Sequence, residues 1–129
     1  EKIRISAVSY LNSLPFVYGL NHSTIKEQCE ISLDNPAVCA QKIISGKADV
    51  GLIPVAAIQQ VSNAKIISDY CIGANGKVKT VCLFSDVPLQ EIKTILLDYQ
   101  SRTSVQLTKI LAKNFWKIKF EFNKFNVSN

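Results

Sequence analysis

Apolar and polar positions alternate with a period of two over residues 2–8, with Ile3, Ile5 and Ala7 on one side, and predict a first strand. The pattern then changes. Asn12 and Pro15 open a short helix ending near Gly19, and residues 29–33 predict a second strand. Asp34-Asn35-Pro36 supplies a cap residue and a proline for the first turn, so a helix is expected over 37–45, closed by Gly46. An apolar strand over 48–53, ended by Pro54, and a helix over 55–61 come next. Residues 65–68 and 78–84 predict two more strands, separated by the turn Gly73-Ala74-Asn75-Gly76.

After Pro88 the alternation restarts. Residues 89–92 read as a short helical piece and 94–97 as a strand. Over 101–115, Val105, Leu107, Ile110, Leu111 and Phe115 recur near a 3.6 spacing, which predicts an amphipathic helix, and 118–122 predicts a closing strand. Strands alternating with helices indicate βαβ units and a mainly parallel sheet. There is no internal repeat and no low-complexity segment. The natural break falls near 85–90, which divides the chain into 1–86 and a shorter 87–129.

Composition narrows the class. The 129 residues are 47% hydrophobic and 19% charged, which is too apolar for disorder. No apolar run approaches the roughly 18–20 residues a membrane span needs, and no signal-peptide pattern opens the chain. Methionine is absent even from position 1, and Phe125-Asn126-Val127-Ser128-Asn129 carries no stop signal, so a trimmed chain or fragment is expected. The net charge of +5 lies entirely in the second half: residues 1–76 hold six basic and six acidic groups, residues 77–129 nine and four. A basic half suits nucleic acid, acidic lipid or an anionic small molecule. Lys109, Lys113, Lys117, Lys119 and Lys124, however, are spaced like the solvated side of a helix and the strand after it.

The four cysteines, at 29, 39, 71 and 82, form no Cys-x-x-Cys pair, and one histidine accompanies them, so a zinc site is not expected. Each lies among apolar neighbours, which predicts buried free thiols in a reducing, cytoplasmic compartment, with disulfides as the alternative.

Ligands of parallel α/β sheets bind beyond the carboxyl ends of the strands, and three such places carry polar groups. The first is Ser9-Tyr10-Leu11-Asn12-Ser13-Leu14-Pro15, whose side chains suit helix capping and equally suit a bound hydroxyl or carboxylate. The second is Ser101-Arg102-Thr103-Ser104, at the start of the long helix. Free backbone amides, the helix dipole and a planar guanidinium all favour an anion there, while Ser101 or Thr103 would also serve as a plain N-cap. The third is the strand over 77–85, with Lys79, Thr80 and Ser85. His22 sits in a polar loop without an evident partner. No phosphate-binding glycine loop and no Gly-x-Ser-x-Gly elbow is present. Phe115, Trp116, Phe120, Phe122 and Phe125 lie among lysines, as in a base-stacking surface, but Phe120 and Phe122 share one strand face and read better as core.

Four segments together resemble the chorismate dehydratase family of menaquinone biosynthesis by the futalosine route. They are ISAVSYLNSLP at 5–15, GKADVGLIP at 46–54, KVKTVCLFSDVPL at 77–89 and LDYQSRTSVQLTKIL at 97–111, in family order. The resemblance implies a two-lobed fold like type II periplasmic binding proteins. Residues 1–86 would form most of lobe one and 87–129 a truncated start of lobe two, so that a complete cleft is not expected in this chain. It also implies elimination of water from chorismate to give 3-[(1-carboxyvinyl)oxy]benzoate, without a cofactor or metal. Asn12 and Thr80 would lie nearest the reacting centre, with Thr80 standing where the family usually has serine. Ser9, Tyr10, Ser13, Pro54, Ser101, Arg102, Thr103 and Ser104 would bind substrate. The expected partner is the small-molecule substrate alone, with no nucleic acid and no membrane.

Fold alone does not separate a dehydratase from a solute-binding protein that takes a small carboxylate without chemistry. The Ser-Tyr-Leu-Asn and Ser-Arg-Thr-Ser segments favour the enzyme. The first also reads unlike the later naphthoate-forming enzyme of the same pathway. An inactive fragment is the remaining reading.

Overall fold

A computed structural model describes residues 1–125, arranged as two compact units, Glu1–Gly73 and Ala74–Asn129. Residues 74–86 thus group with the second unit. The end segment read from sequence as lacking a stop signal lies, from residue 126 on, outside the described residues.

The first unit is built on a three-stranded sheet in the order β2-β1-β3, with β1 Ile3–Val8 in the middle, β2 Cys29–Asp34 and β3 Val50–Gly51. Both pairings are parallel, with Val8 opposite Asp34 and Ser6 opposite Gly51. A central strand buries both faces, and the sequence of β1 complies: Ile5, Ser6, Ala7 and Val8 are all buried. Only two residues of the expected strand over 48–53 pair as β3. The hydrogen bonds nevertheless run on, from Asp49 N to Arg4 O at 2.9 Å and from Leu52 N to Ser6 O at 3.0 Å.

Helix α1, Leu14–Asn21, follows β1 through a 3-10 turn, Leu11–Ser13. Helix α2, Pro36–Ile44, starts as the sequence predicts: the Asn35 side chain accepts Val38 N–H at 3.0 Å and proline occupies the first turn. It ends in a Schellman arrangement, Lys47 N to Lys42 O at 2.8 Å and Gly46 N to Ile43 O at 3.1 Å. Gly46 takes φ +68° there, a conformation that glycine adopts without steric cost. Cys39 and Ala40 of α2 are fully buried. The approach of α2 also requires a glycine in β3, because a Cβ on Gly51 would stand 2.6 Å from Ile43 Cγ1. The expected helix over 55–61 is a 3-10 helix, Val55–Gln60.

The second unit pairs β4, Thr94–Leu97, with β5, Glu121–Lys124, in parallel. Between them runs α3, Arg102–Ile110, which continues as a π-helix, Leu111–Trp116, and stops at Lys117 in the left-handed region, φ 56°. Ile95, Ala112 and Phe120 form its core, with Leu97, Trp116, Ile118 and Phe122 packed against them. The closing strand pairs from Glu121 rather than from Ile118. After the Lys117 turn, Ile118 N bonds back to Ala112 O at 3.1 Å, so residues 118–120 complete the helix end and contribute side chains to the core without joining the ladder.

Two expected strands do not form. Residues 65–68 and 78–84 are irregular, and Ile66, Tyr70, Val81 and Phe84 are exposed. The sequence pattern over 78–84 is apolar on both faces, as an interior strand requires, but no neighbouring strand pairs with it among the described residues. Without a ladder partner its backbone gains nothing from extension.

An aspartate secures the start of the sheet. Asp49 accepts three hydrogen bonds from Arg4, from its backbone N at 2.9 Å, Nε at 3.0 Å and Nη2 at 2.6 Å. The side-chain bonds from Arg4, then the backbone bond, hold the Asp49 carboxyl down at about 2. A carboxylate whose proton affinity falls on folding adds stability that is fully present above its unfolded value, roughly 3.9, and is lost as pH falls toward the folded one. Urea midpoints are therefore expected to hold steady near neutrality and to decline from about pH 4 toward pH 2. Asp49→Asn should flatten that decline; an acid profile identical to wild type would show that the Arg4 clamp adds nothing.

Candidate functional site

The carboxyl ends of β1, β2 and β3 share one edge because all three strands run parallel. From β1 the chain leaves through Ser9, and Ser9 N donates to Asp34 O at 2.9 Å. The Asp34 side chain is bound at the same time by Lys42 Nζ at 2.5 Å, Ser32 Oγ at 2.9 Å and Ser6 Oγ at 2.9 Å. Lys42 also donates to Ser32 Oγ at 3.0 Å. The Lys42 bond, followed by those from Ser32 and Ser6, holds the Asp34 carboxyl below the usual range. This cluster was missed at the level of sequence. Its signal was a serine inside an apolar strand and a lone lysine on the buried side of α2.

Serines and asparagine at 9–13 suit capping, yet neither the 3-10 turn nor α1 receives a side-chain cap. Ser13 is wholly buried, and its hydroxyl reaches only Asn12 Oδ1, at a long 3.5 Å. Asn12 itself is exposed and lines an open concavity of about 480 Å³ with Pro15, Phe16, Tyr70, Cys71, Ile72 and Gly73. Tyr10 is exposed at the turn. Pro54 follows β3 at the same sheet edge, half-buried, and its carbonyl accepts Ala57 N–H at 2.8 Å. Ser9, Tyr10, Asn12, Ser13 and Pro54 thus share one edge of the first unit.

Thr80 and Ser101, Arg102, Thr103 and Ser104 belong to the second unit. Thr80 sits in an exposed turn rather than in a strand. Ser101 is the N-cap of α3: its Oγ accepts Ser104 N–H at 3.2 Å and donates to Ser104 Oγ at 2.7 Å. Two of the hydroxyls expected to bind an anion are therefore engaged with each other. Asp98 orders its own loop, accepting Gln100 N–H at 2.9 Å.

The thiols divide. Cys29 and Cys39 are buried as expected, and burial pushes the Cys39 thiol up; Cys71 and Cys82 are exposed, Cys82 because the strand expected over 78–84 does not form. His22 has a partner after all: it stacks on Tyr18 with ring centroids 3.9 Å apart, and Nδ1 lies 2.9 Å from Tyr18 O. Among the aromatics, Phe120 is buried between Trp116 and Phe122 in edge-on contacts, while Phe115 is exposed. Among the described residues no helix is long and apolar enough to cross a membrane.

A family model described as menaquinone biosynthesis matches residues 3–129. The chain belongs to that family. The match takes in all four segments that resemble chorismate dehydratase and places the role of the chain in that pathway, as a biosynthetic enzyme. Membership also gives the uncapped Ser9–Ser13 turn a context that capping chemistry does not.

The Ser101 cap has a measurable consequence. Ser101→Ala should cost the second unit about 1 kcal/mol in chemical denaturation, while Ser101→Asn stays near wild type. Equal stability of the alanine variant would show that the cap is not operating.

Proposed function

We propose that the protein is a chorismate dehydratase that eliminates water from chorismate to give 3-[(1-carboxyvinyl)oxy]benzoate. The observation that carries this reading is the Asn12 turn. In a family of menaquinone biosynthesis, an asparagine at the carboxyl end of the central strand lines a concavity and caps no helix. The fold we propose for the whole enzyme is the two-lobed, type II periplasmic-binding-protein-like kind, working in the cytoplasm.

The reaction removes the C3 proton and the C4 hydroxyl, forms the C3–C4 double bond and leaves an aromatic ring. Aromatisation makes the product strongly favoured, so the enzyme has to supply geometry and charge stabilisation rather than driving force. Asn12 offers an amide to the departing hydroxyl, and by the family resemblance Thr80 is the second candidate for the reaction. The backbone amides at the start of α3, together with Arg102, suit a carboxylate. Asn and Thr are poor bases, and Asp98 is committed to its own turn. A carboxylate of the substrate itself therefore takes the C3 proton and passes it to the leaving hydroxide, which departs as water.

The test incubates the full-length protein with chorismate and follows a product lighter by one water by liquid chromatography and mass spectrometry. Asn12→Ala should lose about 10²–10³ in turnover, the usual magnitude for one such hydrogen-bond donor. Saturable binding without dehydration by wild type would defeat the reading. Asp98→Asn should retain turnover; an Asp98→Asn enzyme that binds chorismate but no longer dehydrates it would place the base on the protein instead.

A further inference from the structure

The concavity beside Asn12 has an uneven chemistry. Its lining is Asn12, Pro15, Phe16, Tyr70, Cys71, Ile72 and Gly73, and none of these carries a formal charge. Its volume, about 480 Å³, falls in the roughly 300–1,000 Å³ range of small-molecule sites. A site of this kind does not hold a carboxylate, which needs cations or several N–H donors. It suits the uncharged face of a ring whose one hydroxyl meets Asn12.

Tyr70 is the residue that no structural role explains. Its side chain is 81% exposed, and Ile72 beside it is 42% exposed. Ser68 Oγ accepts Tyr70 N–H at 2.9 Å and donates to Tyr70 O at 3.3 Å, a local turn that sets the backbone at Tyr70. A large aromatic ring thus stands exposed on the lining it shares with Asn12, and Phe16 comes to the same concavity from α1. Aromatic faces attract flat, polarisable rings.

We propose that Tyr70 and Phe16 hold the face of the substrate's six-membered ring while Asn12 meets its hydroxyl, so that Tyr70 is a specificity-determining residue. This rests on the dehydratase reading, in which the ring flattens as it becomes aromatic. The ring contact is present before and after water leaves, so it governs binding more than the chemical step. The carboxylates are left outside this concavity.

Two measurements on the full-length protein test the assignment. Steady-state kinetics with chorismate should show KM raised about tenfold in Tyr70→Ala, kcat within about twofold, and recovery in Tyr70→Phe. In the unmutated protein, chorismate should slow iodoacetamide alkylation of Cys71, read by peptide mass mapping, and the same concentration of acetate should not. Normal turnover with wild-type kinetics in Tyr70→Ala, or with Cys71 alkylated equally with and without chorismate, overturns the assignment and leaves the dehydratase reading standing. Absent turnover with selective protection of Cys71 defeats the dehydratase reading, and with it a role of Tyr70 in that reaction, and leaves only binding at this concavity. Absent turnover without protection defeats both.

Discussion

The first unit depends on what converges on Asp34. Its carboxylate collects Lys42 from α2, Ser32 from its own strand and Ser6 from the central strand, and its carbonyl takes the amide of Ser9. A charge placed between a helix and a sheet is costly unless it is paired and hydrogen-bonded, and here three donors converge on Asp34 Oδ2. The result couples β1, β2 and α2 to the first residue of the turn that carries Asn12. No buried polar side-chain atom among the described residues is left without a partner.

The elements legible in the sequence were those whose punctuation is local. Asn35, Pro36 and Gly46 bracket α2 through interactions within a few residues, so the helix could be read one residue from its true limits. The parallel character followed from the alternation of strands and helices, which is also local. What could not be read depended on distant partners. Residues 78–84 have a strand pattern but no ladder, and Cys82 is consequently exposed. The π-helical turn over Leu111–Trp116 escaped for a related reason: it keeps Ala112 and Trp116 against the core at a spacing that a 3.6 period approximates well enough to hide.

The candidate site divides along the same line. The sequence marked Ser9–Ser13 and Ser101–Ser104 as equally suited to capping or to a ligand, and composition did not separate them. The structure treats them differently. Ser101 caps α3, whereas the turn before α1 dispenses with a side-chain cap and leaves Asn12 at a concavity. Nothing in the neighbours of Tyr70 signals a site, and only the fold brings this exposed aromatic to the lining that Asn12 shares.

The order β2-β1-β3 also bears on how the chain is made. The middle strand is synthesised before either neighbour, so its two open edges and apolar faces wait for residues 29–34 and then 50–51. At about 5–20 residues per second on the ribosome, the roughly 40 residues from the end of β1 to β3 take about 2–8 s. During that interval the central strand has no partner from its own chain, and its open edges are free to pair elsewhere.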